Sequence, residues 1–199
     1  MKCFRIRLLS LFFFGSLILI SFSGMTAQNK LLDSLRQTLS STLEDTNRVR
    51  ALNNLARNLG LQGNYNEAHK LTRQAFILSE KLGDKTGAAE AKNRSGSVSF
   101  LEGDYKEAIK DLSLSYYLSK ENGNKIGMIN ASINISNVYT NQGNFAEALK
   151  TLTEATPTCQ ELHDHERLAS LYNNIGLVHE ILGNFPEALK YFLQTLKKI

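Results

Sequence analysis

Apolar residues recur at helical spacing toward the end of this chain. Leu168, Leu171, Tyr172, Ile175, Val178, His179 and Leu182 follow one another at short helical intervals, and after a brief polar break Phe185, Ala188, Leu189, Phe192, Leu193 and Leu196 do the same. That spacing predicts two amphipathic helices joined by a short turn. The apolar stripes are wide, as expected of helices buried on two sides. The pair is written four times. Its joint reads Gly63-Asn64-Tyr65-Asn66-Glu67-Ala68, Gly103-Asp104-Tyr105-Lys106-Glu107-Ala108, Gly143-Asn144-Phe145-Ala146-Glu147-Ala148 and Gly183-Asn184-Phe185-Pro186-Glu187-Ala188, an unvarying interval of forty residues. Self-similarity at this period predicts a stack of like units, each burying its apolar face only against its neighbours. The fold class is therefore an all-α helical-hairpin solenoid. Its repeats span 44–83, 84–123, 124–163 and an incomplete 164–199.

Each letter of the joint has a physical role. Gly63 and its equivalents allow the left-handed turn that ends a helix. Asn64, Asp104, Asn144 and Asn184 are expected to cap the next helix, with Glu67, Glu107, Glu147 and Glu187 reaching back in a capping box. Pro186 falls in a first turn, where its missing N–H breaks no bond. Ala68, Ala108, Ala148 and Ala188 should mark the closest approach of paired helices. Lys70, Lys110, Lys150 and Lys190, three residues beyond each Glu, read as a solvated charge face. One position jars. Pro157 falls well inside an expected helix, so a kink or early termination near Ala155 to Pro157 is expected.

The small residues Ala56, Gly96, Ser136 and Gly176, seven before each hinge glycine, complete a pattern that resembles the tetratricopeptide repeat over residues 44–199. The usual unit of that family is about 34 residues. The longer unit here, with segments such as Ser79-Glu80-Lys81-Leu82 extending the second helix, resembles variants found in bacterial sensor and regulatory proteins. The resemblance implies a right-handed superhelix whose first helices line a concave groove that binds a peptide or protein segment. Asn53, Asn54, Arg57, Asn93, Arg94, Asn134, Asn137, Asn173 and Asn174 fall on those helices. Asparagine is a mediocre helix former, at roughly 0.6 kcal/mol against alanine, so its recurrence asks for a reason. Its amide can donate to and accept from a peptide backbone at once, or it can bridge adjacent repeats. Arg50, Arg57 and Arg94 would favour an acidic segment or terminal carboxylate, and Ile133, Leu177 and Ile181 a segment with apolar anchors. The lysines of the family's two-carboxylate clamp are absent: Asn53, Asn93, Ile133 and Asn173, or Glu90, Asn130 and Ser170, stand in the matching places.

The ends change the picture. Lys2, Arg5 and Arg7 precede an apolar run from Leu8 to Phe22 and a small-residue exit to Ala27, so residues 1–27 read as a signal peptide and imply a periplasmic or secreted protein. An uncleaved membrane anchor is the alternative. The formal charge of +4 then falls to +1, with 20 basic against 19 acidic residues once the leader's three are removed. That balance argues against a nucleic-acid partner. Cys159 would be the only cysteine left, so no internal disulfide forms. Residues 28–43, with Leu31, Leu32, Leu35 and Leu39 on one side, read as an N-terminal capping helix. Phe192, Leu193, Leu196 and Ile199 would present an apolar face, expected to meet further C-terminal repeats or a domain, another protein, or a second copy.

Nothing in the sequence assembles a catalyst. His165-Glu166-Arg167-Leu168-Ala169 and His179-Glu180-Ile181-Leu182-Gly183 lack the second histidine of a zinc protease helix. Cys159, His163 and His165 are better explained by packing and a turn than by zinc. No cofactor, metal or small-molecule substrate is expected, and no enzyme. The expectation is a noncatalytic protein–protein interaction scaffold. The alternative is the extracytoplasmic input region of a larger signalling protein, such as a histidine kinase or transcriptional regulator.

Overall fold

In the computed structural model, which describes Gln37, Leu39 and residues 43–196, the expected helix pairs are all present. They are α1 (Thr46–Leu61), α2 (Tyr65–Leu82), α3 (Lys85–Glu102), α4 (Tyr105–Glu121), α5 (Lys125–Asn141), α6 (Phe145–Glu161), α7 (His165–Ile181) and α8 (Phe185–Leu196). No strand occurs among the described residues. The chain divides into compact units Met1–Ser41 and Thr42–Ile199. Of the first, only Gln37 and Leu39 are described, both helical. The expected leader, most of the expected capping helix, and Ile199 lie outside the described residues. Among those described, no helix is long and apolar enough to cross a membrane.

The hinges are built differently from the capping box expected of them. Gly63, Gly103, Gly143 and Gly183 hold φ of 79°, 90°, 76° and 75°, a region open to glycine at no steric cost. The next residue then bonds backward. The N–H of Asn64 donates to the Leu59 carbonyl at 2.9 Å, Asp104 to Ser99 at 2.9 Å, Asn144 to Tyr139 at 2.8 Å and Asn184 to His179 at 2.9 Å. This is the bond that closes a Schellman turn. It occupies the donor a capping-box glutamate would need. The glutamates turn forward instead, Glu107 to Lys110 at 2.8 Å and Glu187 to Lys190 at 2.6 Å, while Glu67 takes the Asn64 amide at 3.0 Å.

The expected asparagine caps also fail at two of the hinges. Asp104, at ψ 76°, accepts from the Glu107 N–H at 3.0 Å; Asn64 and Asn144, at ψ 64° and 60°, make no side-chain cap. At the turns between units, ψ is 81°, 83° and 87° at Asp84, Asn124 and Asp164, and all three cap. The smaller ψ swings the first-turn amides out of the side chain's reach.

The expected break at Pro157 is absent: α6 runs on to Glu161. Proline removes one helical bond, leaving the Thr153 carbonyl without its donor. Thr153 and Pro157 are both exposed, so the lost bond lies on the solvent-facing side of the helix and the turn continues.

Packing follows the repeat columns. Ala68, Ala108 and Ala148 are 0% exposed, so paired helices meet there without room for a larger side chain. A Cβ added at Gly96 would sit 2.6 Å from Leu112 Cγ, and one at Gly176 would sit 2.6 Å from Phe192 Cε1. Small residues on the first helix thus accept large ones from the second. Each helix packs on the next, and the first helices α1, α3, α5 and α7 also touch in succession. The second helices do not touch one another among the described residues. The first helices therefore line the inner, tighter surface of the stack, and the second helices fan outward.

Candidate binding groove

The inner surface holds a groove of about 660 Å³, centred on α3 and α5 and reaching α1 and α7. Five of the nine expected site residues line it: Asn54, Arg57, Asn93, Arg94 and Asn134. The other four do not. Asn53 is 0% exposed. It stands in the column of Asn93, one repeat earlier, but neither of its polar side-chain atoms has a partner among the described residues. Asn137 is half-buried and its backbone carbonyl accepts from the Asn141 amide at 3.0 Å. Asn173 is exposed and Asn174 half-buried, both on α7 beyond the groove lining.

Asn93 and Asn134 are bonded to each other across the repeat boundary. The Asn134 amide donates to Asn93 Oδ1 at 2.9 Å and, at 3.3 Å, to Ser97 Oγ. Asn93 Nδ2 is buried with no partner, although the residue lines the groove and is 7% exposed. One repeat earlier the corresponding pair is Asn53 and Arg94. There the guanidinium turns to Glu90 at 3.1 Å, and both polar atoms of Asn53 and the Nε of Arg94 are left without partners. A buried donor left unpaired costs about 1–3 kcal/mol. Two of these unpartnered donors, Asn93 Nδ2 and Arg94 Nε, belong to residues that line the groove.

Charge in the groove is mixed. Arg94 is paired with Glu90, whereas Arg57 is exposed and makes no ion pair among the described residues. Arg167 is a lining residue that the repeat columns did not announce. Its Nε donates to Asn130 Oδ1 at 2.9 Å and its backbone N–H to Asp164 Oδ1 at 3.0 Å. That backbone bond, with the guanidinium beside it, holds the Asp164 carboxyl below its ordinary range. The signal was a broken column: Gly87 and Gly127 give way to Arg167. Cys159 is 0% exposed, its thiol lies 3.3 Å from the Asp164 carbonyl, and burial pushes its pKa up. No cluster of three or more potential metal ligands occurs among the described residues.

The profile of the tetratricopeptide repeat matches residues 87–161 and 127–197, and a second profile of the same repeat matches 48–82. The chain belongs to the tetratricopeptide repeat family. As a tetratricopeptide repeat protein it is a helical solenoid of the kind that serves as a protein–protein interaction scaffold. Its fold is shared with BtubC (BKLC) from P. vanneervenii, at 20% identity and TM-score 0.69 over 87% of this chain and 71% of that one. MamA matches at 23% identity and TM-score 0.55, over 84% of this chain and 85% of that one. Aspartyl phosphate phosphatase F from Bacillus subtilis matches at 14% identity and TM-score 0.75, over 89% of this chain and 49% of that one. At these identities the likeness is one of fold. No curated protein matches the chain in sequence.

Proposed function

We propose that this tetratricopeptide repeat protein is a noncatalytic scaffold that holds an extended protein segment along its inner groove. The observation that carries the reading is the unpartnered Asn93 Nδ2, buried in the groove floor with its other amide atom already committed to Asn134. A backbone carbonyl of an extended segment is the acceptor that fits, and Asn54 and Arg57 lie where the segment would continue toward α1. Selection of a random peptide library on the purified protein tests this. Asn54→Ala with Arg57→Ala, neither of which bridges repeats, is expected to weaken selected peptides by about tenfold, or 1.4 kcal/mol, with melting unchanged. Peptides that bind the double variant equally well would overturn the groove reading.

Export through residues 1–27 is part of the proposal, and amino-terminal sequencing of the protein from cells tests it. The reading predicts a chain that starts at Gln28; a retained Met1 would favour the membrane anchor. A role as the input region of a larger signalling protein is the second reading. It is supported by Phe185, Leu189 and Leu193 on α8, which are 66%, 58% and 47% exposed. The matching aromatics Tyr65, Tyr105 and Phe145 are half-buried, and Tyr65 donates its hydroxyl to Leu101 of the next unit at 3.1 Å.

A further inference from the structure

The opposite side of the stack carries a second, smaller crevice. Met128, Ser132 and Ile135 lie on the side of α5 turned away from Ile133 and Asn134, which line the groove. There α4, α5 and α6 enclose about 300 Å³. The same junction of three helices recurs along the stack, so its contents can be compared repeat by repeat.

At the first junction, between α2, α3 and α4, the crevice is crossed by a lysine. Lys92 places its ammonium 2.9 Å from Asp111 Oδ1 and 5.0 Å from the centre of the Phe76 ring. The two side chains are only 23% and 5% exposed. At the third junction the places of Lys92 and Asp111 belong to Tyr172 and Tyr191, whose rings stand 6.0 Å apart. At the middle junction both are short: Ser132 and Thr151. Arg73 also becomes Ser113.

What remains is the surroundings of a cation with none in the place of Lys92; Lys150 also lines the crevice, but its side chain is 63% exposed. Tyr116 stands in the place of Phe76, and Glu147 and Glu154 line the crevice. Glu147 has Lys150 4.0 Å away, whereas Glu154 makes no ion pair among the described residues. Ser132 is 5% exposed, lines the crevice, and has no hydrogen-bond partner among the described residues. The Thr151 hydroxyl donates to the Glu147 carbonyl at 2.7 Å, which leaves its oxygen free to accept. An ammonium over an aromatic face is attracted by the ring's quadrupole, and the crevice adds hydroxyl acceptors and a carboxylate.

We propose that the crevice between α4, α5 and α6 receives a lysine side chain supplied by a partner protein, seated as Lys92 seats itself one repeat earlier. Met128 and Ile135 line the way for the aliphatic stem, and Tyr116, Ser132, Thr151 and Glu154 take the ammonium. The preference for an ammonium follows from the crevice alone; the partner's being a protein rests on the scaffold function of the repeat. This site is separate from the inner groove, so Asn54→Ala with Arg57→Ala leaves it intact.

The test is an NMR titration of the purified protein with Nα-acetyl-lysine methylamide, using the norleucine analogue as an uncharged control and spermidine as a free polyamine. The lysine probe is expected to shift amides around Tyr116, Ser132 and Thr151, binding at least about tenfold more tightly than the norleucine probe. Ser132→Lys with Thr151→Asp rebuilds the first junction's ion pair and is expected to abolish those shifts while spectra elsewhere are retained. Should that variant misfold, Glu154→Gln, at an exposed position, is expected to weaken the lysine probe about threefold and leave the norleucine probe unchanged. Equal binding of the two probes, or shifts that survive the substitutions, would overturn the proposal. Spermidine binding more tightly than the lysine probe would overturn the assignment to a protein lysine.

Discussion

His163 stands where Gly83 and Gly123 stand in earlier repeats, and it takes the same left-handed turn, with φ of 52° against 67° and 66°. A side chain with a Cβ pays roughly 1–2 kcal/mol to sit there, partly offset by the extra freedom glycine has when unfolded. His163→Gly is therefore expected to raise stability by about 0.5–1 kcal/mol in chemical denaturation. A loss of stability would show that the imidazole makes a compensating interaction. The next residue carries a pH dependence. Asp164 caps α7 and has its pKa lowered, first by the bond from the Arg167 N–H. A group whose pKa is lower folded than unfolded stabilises the fold above its unfolded value, about 3.9 for aspartate, and loses that contribution as pH falls through the folded value. Asp164→Asn is expected to flatten the decline in stability below about pH 4. An unchanged acid profile in the variant would contradict that assignment.

At the scale of the helix, the decisive fit is between a small residue on one helix and a large one on its partner. Gly176→Ala would place a methyl against the Phe192 ring, and is expected to cost about 1–3 kcal/mol as overpacking. Phe192→Leu in the same chain should recover part of that loss, measurable as a coupling energy in a double-mutant cycle. Strict additivity would mean that the two columns do not meet. The small column was legible in the sequence, as were the helix pairs and the glycine turns, because each needs a particular residue type at a fixed interval. The caps were less legible. Whether Asn64 or Asp104 caps depends on some ten degrees of ψ, which no spacing records. Pro157 misled because a proline is tolerated on an exposed helical face, and that exposure is a property of the stack. Five groove residues lie where their columns put them, but the columns alone do not decide: Asn53 shares its column with Asn93, and Asn174 shares its column with Asn54 and Asn134, yet neither Asn53 nor Asn174 lines the groove. The outer crevice was hidden because columns 76, 92 and 111 belong to three different helices.

For the whole molecule, a stack with only neighbour contacts opens from its weakest end. In α8 only Ala188 is buried, whereas eight residues of α1 are. Hydrogen exchange is expected to be fastest in α8 and slowest in the α3 to α6 region. Protection of α8 equal to that of α4 would instead reveal that its apolar face is covered by self-association, which dilution or sedimentation would expose.

One residue at each hinge closes the turn behind it and opens the helix ahead, so the joint has no slack. A single amino acid inserted there would rotate everything downstream by about 100° and point every apolar stripe at the wrong neighbour. Such a protein changes length by quanta: lineages that lengthen or shorten it would do so by duplicating or deleting whole forty-residue modules, and intermediate lengths would be missing.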